Sequence, residues 1–300
     1  MRFQSRLAAG GTPLSANWGV DSEYGVLRDV LLGPSEHFDW RESNAVAART
    51  TRLGFVYDRD VAVAQHRELE AAFASAGVRV HHLAADPALP YQIFARDSSV
   101  MTPWGAIIMQ LTKPFRRGEY ISCLNFYLEN DIPIFDVVTA GGAEGGDLMT
   151  LKPGVAVCGV SGDRSTEPAV AQIGAWFRAE GWEFIPYAFD PHFLHLDVQL
   201  CMAAEGLALV CVDAVEPSLV DQLRAMQIRI LDVPYREAMT MGCNVVALGG
   251  ERVLVPASNR LVIDMCRAEG LTVIDPDVSM IAAAGGALHC LCQPLRRDPA

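Results

Sequence analysis

Hydrophobic and polar residues follow two periods along this chain, one typical of helices and one typical of strands. Apolar residues recur at spacings of three and four in four segments, which predicts amphipathic helices at Arg59–Ser75, Glu167–Ala179, Pro217–Ala225 and Arg260–Ala268. The stretch EYISCLNFYLEN (119–130) has the same helical character. Gly77, Gly181 and Gly270 follow three of the helices, where a left-handed residue commonly ends a helix. A short strand-like run follows each predicted helix.

Pairs of apolar, β-rich runs occupy the stretches between these helices. Four pairs surround tight turns, in SSVMTPWGAIIMQL, DLMTLKPGVAVCGV, DVQLCMAAEGLALVCV and CNVVALGGERVLVPA. The fifth is split between GVLRDVLLG (25–33) and LHCLCQPL (288–295). The unit strand, strand, helix, strand therefore occurs five times, and we expect one α/β domain, residues 1–300, whose units form a ring closed by the chain ends. Such a ring leaves no free sheet edge, whereas the alternative, an open α/β sheet, needs no hairpin before every helix.

Composition narrows the class of protein. A hydrophobic fraction of 51% and a mean hydropathy of +0.19 over 300 residues are typical of a well-packed globular protein. No apolar run is long enough to cross a bilayer, and the N-terminus lacks the apolar core of a signal peptide. The eight cysteines form no CxxC pair, which favours free thiols in a reducing cytoplasm. A net charge of −12 disfavours nucleic acid as a partner and favours a small cation.

Residues capable of chemistry recur at one position of the repeat, at or just before the first strand of a hairpin. They are Asp97, then Glu144 and Asp147, then His195 and Asp197, then Cys243, then Cys290. Because equivalent positions of units around an axis converge, we expect carboxylates, an imidazole and a thiol to surround one central pocket.

Several neighbouring residues compete with these candidates. Strand alternation places Cys290 and Cys292 on one face, and a free cysteine is commonly a small core residue, a role that suits Cys292 deeper along the strand. His289 is expected to point to the opposite face and to be structural. His192 competes with His195 but lies outside the strand start.

With these residues in place, the sequence resembles the guanidino-group-modifying enzymes of the pentein fold, which include arginine deiminase, agmatine deiminase, dimethylarginine dimethylaminohydrolase and the amidinotransferases. Six stretches occur in the family's order: EYGVLRDVLLGP (23–34), FARD (94–97), RRGE (116–119), EGGD (144–147), HLD (195–197) and GGALHC (285–290). The resemblance implies a five-bladed pentein α/β-propeller, in agreement with the fivefold repeat.

The resemblance also implies roles. Cys290 would be the nucleophile, His195 the general acid and base, and Glu144 the carboxylate beside the histidine. Asp97 and Asp197 would grip the substrate, because a guanidinium is a planar cation whose paired N–H groups suit carboxylates. The expected reaction is hydrolysis of a C–N bond through a covalent amidino-cysteine, without metal or organic cofactor.

Further features bear on the substrate within this family. Glu144 favours hydrolysis, since amidinotransferases tend to carry Asp there, and Asp197 favours an unmethylated guanidinium, since dimethylaminohydrolases generally lack this acid. Arg116 or Arg117, together with Arg164, would suit the α-carboxylate of arginine, although surface solvation equally explains the first two. The expected reaction is that of an arginine deiminase, from arginine to citrulline and ammonia.

Alternatives remain at this level. The chain lacks the extra helical domain of arginine deiminases and is closer in size to dimethylarginine dimethylaminohydrolases, although Arg96 stands where an acid usually precedes the aspartate. An amidinotransferase, or a non-catalytic pentein module like that of a ribosome anti-association factor, stays open. So does a zinc site of Cys243, Cys290, Cys292 and His195, although the spacing of structural zinc ligands is absent. Assembly as a homo-oligomer is left undecided.

Overall fold

The computed structural model describes residue 15 and residues 17–300. The N-terminal stretch on which the signal-peptide prediction rests therefore lies mostly outside the described residues. The strands are β1 Leu27–Leu32, β2 Arg79–His82, β3 Ser99–Thr102, β4 Gly105–Ile108, β5 Ile134–Val137, β6 Leu148–Lys152, β7 Val155–Val160, β8 Glu183–Ala188, β9 Leu200–Ala204, β10 Leu207–Val210, β11 Arg229–Asp232, β12 Val246–Gly249, β13 Arg252–Leu254, β14 Thr272–Ile274 and β15 Cys292–Arg297. The helices are α1 Ala45–Arg52, α2 Arg59–Ser75, α3 Glu119–Glu129, α4 Glu167–Ala179, α5 Pro217–Ala225, α6 Tyr235–Ala238, α7 Arg260–Ala268, α8 Ser279–Ala282 and α9 Leu288–Leu291.

The described strands form five separate three-stranded sheets, ordered β15-β1-β2, β3-β4-β5, β6-β7-β8, β9-β10-β11 and β12-β13-β14. In each sheet two strands pair antiparallel and the third joins in parallel after a crossover through α2, α3, α4, α5 or α7. The first sheet joins the two ends of the chain, with Leu32 of β1 opposite Cys292 of β15. This arrangement confirms the predicted five-bladed pentein propeller.

Apolar clusters connect each sheet to the next around the ring. One cluster joins the first and second sheets through Leu31 and Ile108, and another joins the second and third sheets through Ile107 and Leu148. A third cluster joins the third, fourth and fifth sheets through Val157, Leu209 and Val253. The last cluster joins the fifth sheet to the first through Leu254 and Val30. Full burial of such a side chain contributes about 1.5–3 kcal/mol. The packing therefore fixes the blades and leaves the polar residues before the strands near the axis.

The predicted helices begin and end where the sequence pattern placed them. The Asp58 side chain accepts a hydrogen bond from the backbone N–H of Val61 and so caps α2. Gly77, Gly181 and Gly270 have φ values of +79°, +81° and +88°, which confirms their role in ending helices. Helix α1 and the short helices α6, α8 and α9 were not predicted.

The prediction of a strand over 288–295 is wrong in its first half. Residues Leu288–Leu291 form the helical turn α9, and the strand begins only at Cys292. The N–H groups of Ala287, His289 and Cys290 all point to the amide oxygen of Asn244, at 3.2, 3.0 and 3.3 Å, so the chain curls around this acceptor. Strand alternation consequently does not apply to Cys290.

The eight cysteines are all buried and unpaired, as expected for free thiols. Within the described part of the chain, no helix combines the length and the apolar character needed to cross a membrane.

Candidate active site

A small cavity lies where the strands begin near the axis. It is lined by Ser43, Asn44, Tyr91, Phe94, Asp97, Arg116, Arg164, Leu194, His195, Ala284, Gly285, Gly286 and Cys290. Five of the residues singled out in the sequence therefore meet here, although nearly two hundred positions separate the first from the last. Asp197 and Glu144 lie directly behind this lining, in contact with Cys290 and His195 respectively.

His195 and Glu144 occupy equivalent places in adjacent blades, each immediately before a 3-10 turn, Leu196–Val198 and Gly145–Asp147. His195 Nε2 lies 2.9 Å from Glu144 Oε2. A side chain at Gly146 would displace the imidazole, because its Cβ would lie 2.7 Å from His195 Nδ1. Glycine is thus required for the imidazole to lie against this turn.

The backbone before His195 is strained. Leu194 has φ +67° and ψ −70°, and the N–H of His195 donates to the carbonyl of Phe193 at 2.8 Å. These angles form a γ-turn of the rare type, which costs on the order of 1–3 kcal/mol. The turn directs His195 into the cavity, while His192, on the exposed turn before it, contacts the Tyr235 hydroxyl at 3.2 Å and stays outside the site.

The charges around His195 hold it in its cationic form. Burial alone would lower the pKa of His195, but the carboxylates of Asp97, Glu144 and Asp147 outweigh burial and raise the pKa to about 9. Burial likewise would raise the pKa of Glu144, but Arg164 and His195 hold it below its usual range. At neutral pH the pair is therefore an imidazolium beside a carboxylate.

Asp97 presents one bonded and one unbonded oxygen. Its Oδ2 accepts from Arg116 Nη1 at 2.7 Å, and Arg116 also donates to Glu119 at 2.8 and 2.9 Å. Its Oδ1 lies 3.6 Å from His195 Nδ1, and neither atom has a hydrogen-bond partner among the described residues. Asp97 Oδ1, a hydrogen-bond acceptor, and His195 Nδ1, a donor when the imidazole is protonated, thus lie near each other without a hydrogen bond.

The predicted arginines separate into two kinds. Arg164 is buried, and its guanidinium donates to Glu144 Oε2 at 3.0 Å and to the carbonyl of Ser43 at 3.1 Å. Arg116 is buried beside it and lines the same cavity. Arg117 is exposed and donates to the carbonyl of Thr112, so its candidacy as a substrate ligand is wrong.

Cys290 lies on the helical turn α9 with its sulfur between two polar groups. Sγ is 3.2 Å from Asp197 Oδ2 and accepts from Asn244 Nδ2 at 3.2 Å. Burial raises the pKa of Cys290 well above its usual value, and the carboxylates of Asp197 and Asp97 raise it further. Both effects favour the protonated thiol.

The placement of His289 corrects the expectation that it points away from the thiol. Its Nδ1 lies 2.8 Å from Asp197 Oδ2, the oxygen that also contacts Cys290 Sγ. Its Nε2 contacts Arg96, whose guanidinium donates to Glu23 at 2.8 Å. The helical turn at 288–291 brings both residues to the same carboxylate, which strand alternation would not allow.

Sequence reasoning missed Asn244 and chose its neighbour. Cys243 was expected at the converging position of the fifth blade, but it lies in the apolar core, and Asn244 takes the place at the axis. Asp147, also expected around the central pocket, is not part of the cavity lining and accepts from Ser165 Oγ at 2.6 Å and from the N–H of Leu196 at 2.9 Å. It braces the turn that carries His195. Asn244 could not be predicted from the sequence, because a neutral amide does not contribute to the pattern of charged residues that marked the other positions.

The metal alternative is not supported in the form predicted. The metal-ligating side chains that come together in the described ranges are Asp97, Glu144 and His195, with donor atoms within 4.8 Å of one another. Cys243 and Cys292 belong to two different apolar clusters. The carboxylates of the three-residue group already pair with the guanidinium groups of Arg116 and Arg164.

Comparisons with known proteins agree with this architecture. The family model described as N,N dimethylarginine dimethylhydrolase, eukaryotic, matches residues 41–297. The uncharacterized protein YkgA of Bacillus subtilis (strain 168) is 29% identical over 279 residues, which cover 92% of this chain and 94% of that protein.

Two solved structures share the fold. The dimethylarginine dimethylaminohydrolase of Pseudomonas aeruginosa, solved as a mutant in complex with citrulline, has a TM-score of 0.75 at 20% identity, covering 89% of this chain and 99% of that one. The N-terminal domain of ArgZ, an arginine dihydrolase of cyanobacteria bound to its product, has a TM-score of 0.78 at 18% identity, covering 90% and 97%.

Proposed function

Since the chain belongs to the N,N-dimethylarginine dimethylhydrolase family, and thus to the guanidino-group-modifying enzymes of the pentein fold, we propose that it is a cysteine-dependent hydrolase of a guanidino compound. The observation that carries the proposal is a set of buried carboxylate oxygens without donors. Asp97 Oδ1, Glu144 Oε1 and Asp197 Oδ1 have no hydrogen-bond partner among the described residues. Each such atom costs about 1–3 kcal/mol, and more when charged, until a donor reaches it.

A guanidinium provides the two things that these carboxylate oxygens lack, a hydrogen-bond donor and a positive charge. It is permanently cationic and carries five N–H donors in a plane, which can donate to several acceptors of one small site. The aromatic walls Tyr91 and Phe94 suit a methylene chain. Arg116 and Arg164, the candidates for the α-carboxylate, line the same cavity but are paired there with Asp97 and Glu144. The lining therefore suits the guanidinium and the methylene chain of an arginine-type substrate.

The first chemical step needs a thiolate at Cys290. The cationic substrate offsets the carboxylates that keep the sulfur protonated, so the thiol releases its proton to the solvent when substrate binds. The thiolate attacks the central guanidinium carbon and forms a C–S bond, which gives a tetrahedral adduct. The C–N bond to the leaving nitrogen then breaks, and its electron pair stays on that nitrogen.

His195 supplies the protons. Its Nε2 is engaged with Glu144, whereas Nδ1 is free of hydrogen bonds among the described residues, so Nδ1–H is the group that protonates the leaving amine. The neutral imidazole then takes a proton from water, whose oxygen attacks the amidino-thioether carbon. The C–S bond breaks with its electron pair on sulfur, and the hydroxyl proton of the adduct returns to the thiolate. For arginine the products are citrulline and ammonia.

Arginine is the substrate we favour, because methyl groups on the terminal nitrogen would remove the N–H donors that Asp97 and Asp197 need. Dimethylarginine is the second candidate, favoured by the match to the family model over residues 41–297. The test is incubation with arginine, asymmetric dimethylarginine and agmatine, with separate assays for citrulline, ammonia and dimethylamine. A parallel sample with arginine and glycine detects transfer of the amidino group.

The proposal predicts release of an amine from at least one of these compounds by the wild-type protein and none by Cys290→Ser. Citrulline with ammonia identifies the arginine reaction, and citrulline with dimethylamine identifies the second candidate. Absence of any product from all three compounds would contradict the hydrolase proposal, and a new guanidino product only when glycine is present would replace it with amidino transfer.

A further inference from the structure

Asn244 forms more hydrogen bonds with the helical turn α9, which carries Cys290, than any charged residue of the site does. It is fully buried, at 0% exposure. Its Oδ1 accepts from the three backbone N–H groups of α9 and the residue before it, and its Nδ2 donates to Cys290 Sγ at 3.2 Å and to the carbonyl of Asp197 at 3.2 Å. The Asn244 side chain thus connects the Cys290 thiol, the helical turn α9 that carries it and Asp197, which accepts a hydrogen bond from the thiol.

These contacts fix which way the amide faces. If the oxygen and nitrogen exchanged places, the amide nitrogen would face three N–H donors, and the oxygen would face the carbonyl of Asp197. Donor would then oppose donor and acceptor would oppose acceptor in a buried site, which costs about 1–3 kcal/mol for each unpaired group. The N–H group of Asn244 is therefore held toward the sulfur.

We propose that Asn244 is a further catalytic residue, whose amide N–H stabilises the Cys290 thiolate while its carbonyl oxygen holds the turn in place. The role rests on the proposed function, in which that thiolate is the nucleophile. A hydrogen bond to an ionised acceptor is roughly twice as strong as one between neutral groups. The contact consequently gains strength when the thiol ionises, and so favours the reactive form.

The amide is needed because other groups near the sulfur oppose ionisation. Asp197 contacts Sγ directly and Asp97 lines the same cavity, and both raise the pKa of the thiol, whereas the Asn244 hydrogen bond lowers it. The cationic groups on the same cavity, His195, Arg116 and Arg164, are each engaged with a carboxylate. Asn244 is the donor in direct contact with the sulfur within the described residues.

The test measures the reactivity of Cys290 without any guanidino substrate. Wild-type protein and Asn244→Asp are treated with iodoacetamide from pH 6 to 10, and modification of Cys290 is followed by mass spectrometry of the peptide that contains it. Aspartate keeps an oxygen for the three N–H groups but removes the amide donor. We expect the alkylation rate at pH 8 to fall at least about tenfold, since one pKa unit changes the thiolate fraction tenfold below the pKa.

Two further variants separate this role from a structural one. Asn244→Ala removes the donor without adding an acid, and its Cys290 should also react more slowly than that of the wild type. Asn259→Ala removes another fully buried asparagine of the same blade, whose side chain donates to Glu237 and Thr240 instead of the thiol, and should leave the alkylation profile unchanged. Thermal unfolding of each variant identifies those that are folded at the assay temperature.

Alkylation of Cys290 at the wild-type rate across this pH range in a folded Asn244→Asp or Asn244→Ala protein would overturn the proposal. If one of the two variants does not fold, the other carries the test. The result does not depend on the substrate assay: a protein that hydrolyses no guanidino compound would still show the reactivity shift, and active enzyme should show a fall in kcat with little change in KM.

Discussion

The two halves of the site hold their reactive groups by different means. The acid–base cluster, Asp97, Glu144 and His195 with Arg116 and Arg164, consists of opposite charges in direct contact, such as Arg116 and Asp97 at 2.7 Å. The thiol cluster, Asp197, Asn244, His289 and Cys290, holds its sulfur by one carboxylate and one neutral amide, each at 3.2 Å.

This difference determines the protonation state of each half before substrate arrives. In the acid–base cluster the surrounding charges keep His195 protonated, with its pKa raised to about 9 against the burial that would lower it. In the thiol cluster burial and nearby carboxylates keep Cys290 neutral. The general acid, His195, is thus protonated in the free protein, whereas ionisation of the nucleophile, Cys290, depends on the positive charge of the substrate.

The largest expected effect comes from the sulfur of the thiol cluster. Cys290→Ser should reduce turnover below detection with the fold unchanged, because a serine hydroxyl in this position is far less nucleophilic than a thiolate. Cys292→Ser is the matched control, since Cys292 is buried two residues away in the apolar core, and it should retain most activity. Circular dichroism confirms the fold, and a reversed pattern would show that the nucleophile is misassigned.

The acid–base cluster should show the next largest effect. His195→Ala should lower kcat by about 10²–10⁴-fold, the usual range for loss of a general acid and base. The control is His192→Ala, which changes an exposed histidine three residues away and should be nearly silent. Steady-state kinetics of both variants measure the difference. A His195→Ala enzyme within a few-fold of the wild-type rate would exclude His195 as the proton donor.

The same histidine should make stability depend on pH. Because the folded pKa of about 9 exceeds the ordinary value of 6.5, protonated His195 stabilises the fold fully below pH 6.5, and this contribution disappears as pH rises through 9. The loss amounts to about 3 kcal/mol, at 1.36 kcal/mol for each pKa unit. Urea unfolding at pH 6 and pH 9.5 should show that the wild type loses more stability than His195→Ala. Equal losses in the two proteins would contradict the raised pKa.

The smallest of these effects concerns the choice of substrate. If Asp97 and Asp197 both accept N–H groups of the guanidinium, the wild type should prefer arginine to asymmetric dimethylarginine by at least about tenfold in kcat/KM, since 1.4 kcal/mol corresponds to a factor of ten. Asp197→Asn should narrow this preference, while Asp213→Asn, on an exposed turn of the same blade, should leave it unchanged. Faster turnover of dimethylarginine by the wild type would make it the substrate.

The acid–base cluster was predictable from the sequence and the thiol cluster only in part. Asp97, Glu144 and His195 are charged or titratable residues placed just before strands, so the repeat alone brings them together. The helical turn at Cys290 depends on hydrogen bonds to Asn244, more than forty positions earlier. Local strand pattern cannot reveal such a distant acceptor. The expected face of His289 was therefore wrong, whereas Cys290 does line the predicted pocket.

The arginines show the same limit. Arg116 and Arg117 are adjacent and chemically identical in the sequence, and burial against Asp97 and Glu119 distinguishes them only in the folded chain. The propeller, in contrast, follows from local signals that recur along the chain: five helices that are each followed by a strand-like run, hairpin turns in four of the units and a glycine after three of the helices.

Mass spectrometry of the acid-quenched protein during turnover tests the central claim most directly. If Cys290 forms a covalent amidino-thioether, rapid quenching with substrate present should add the mass of the substrate minus that of the released amine, and digestion should locate this mass on the peptide that contains Cys290. The adduct should be absent from Cys290→Ser. Turnover without an adduct on Cys290, or with the adduct on another cysteine, would contradict the account.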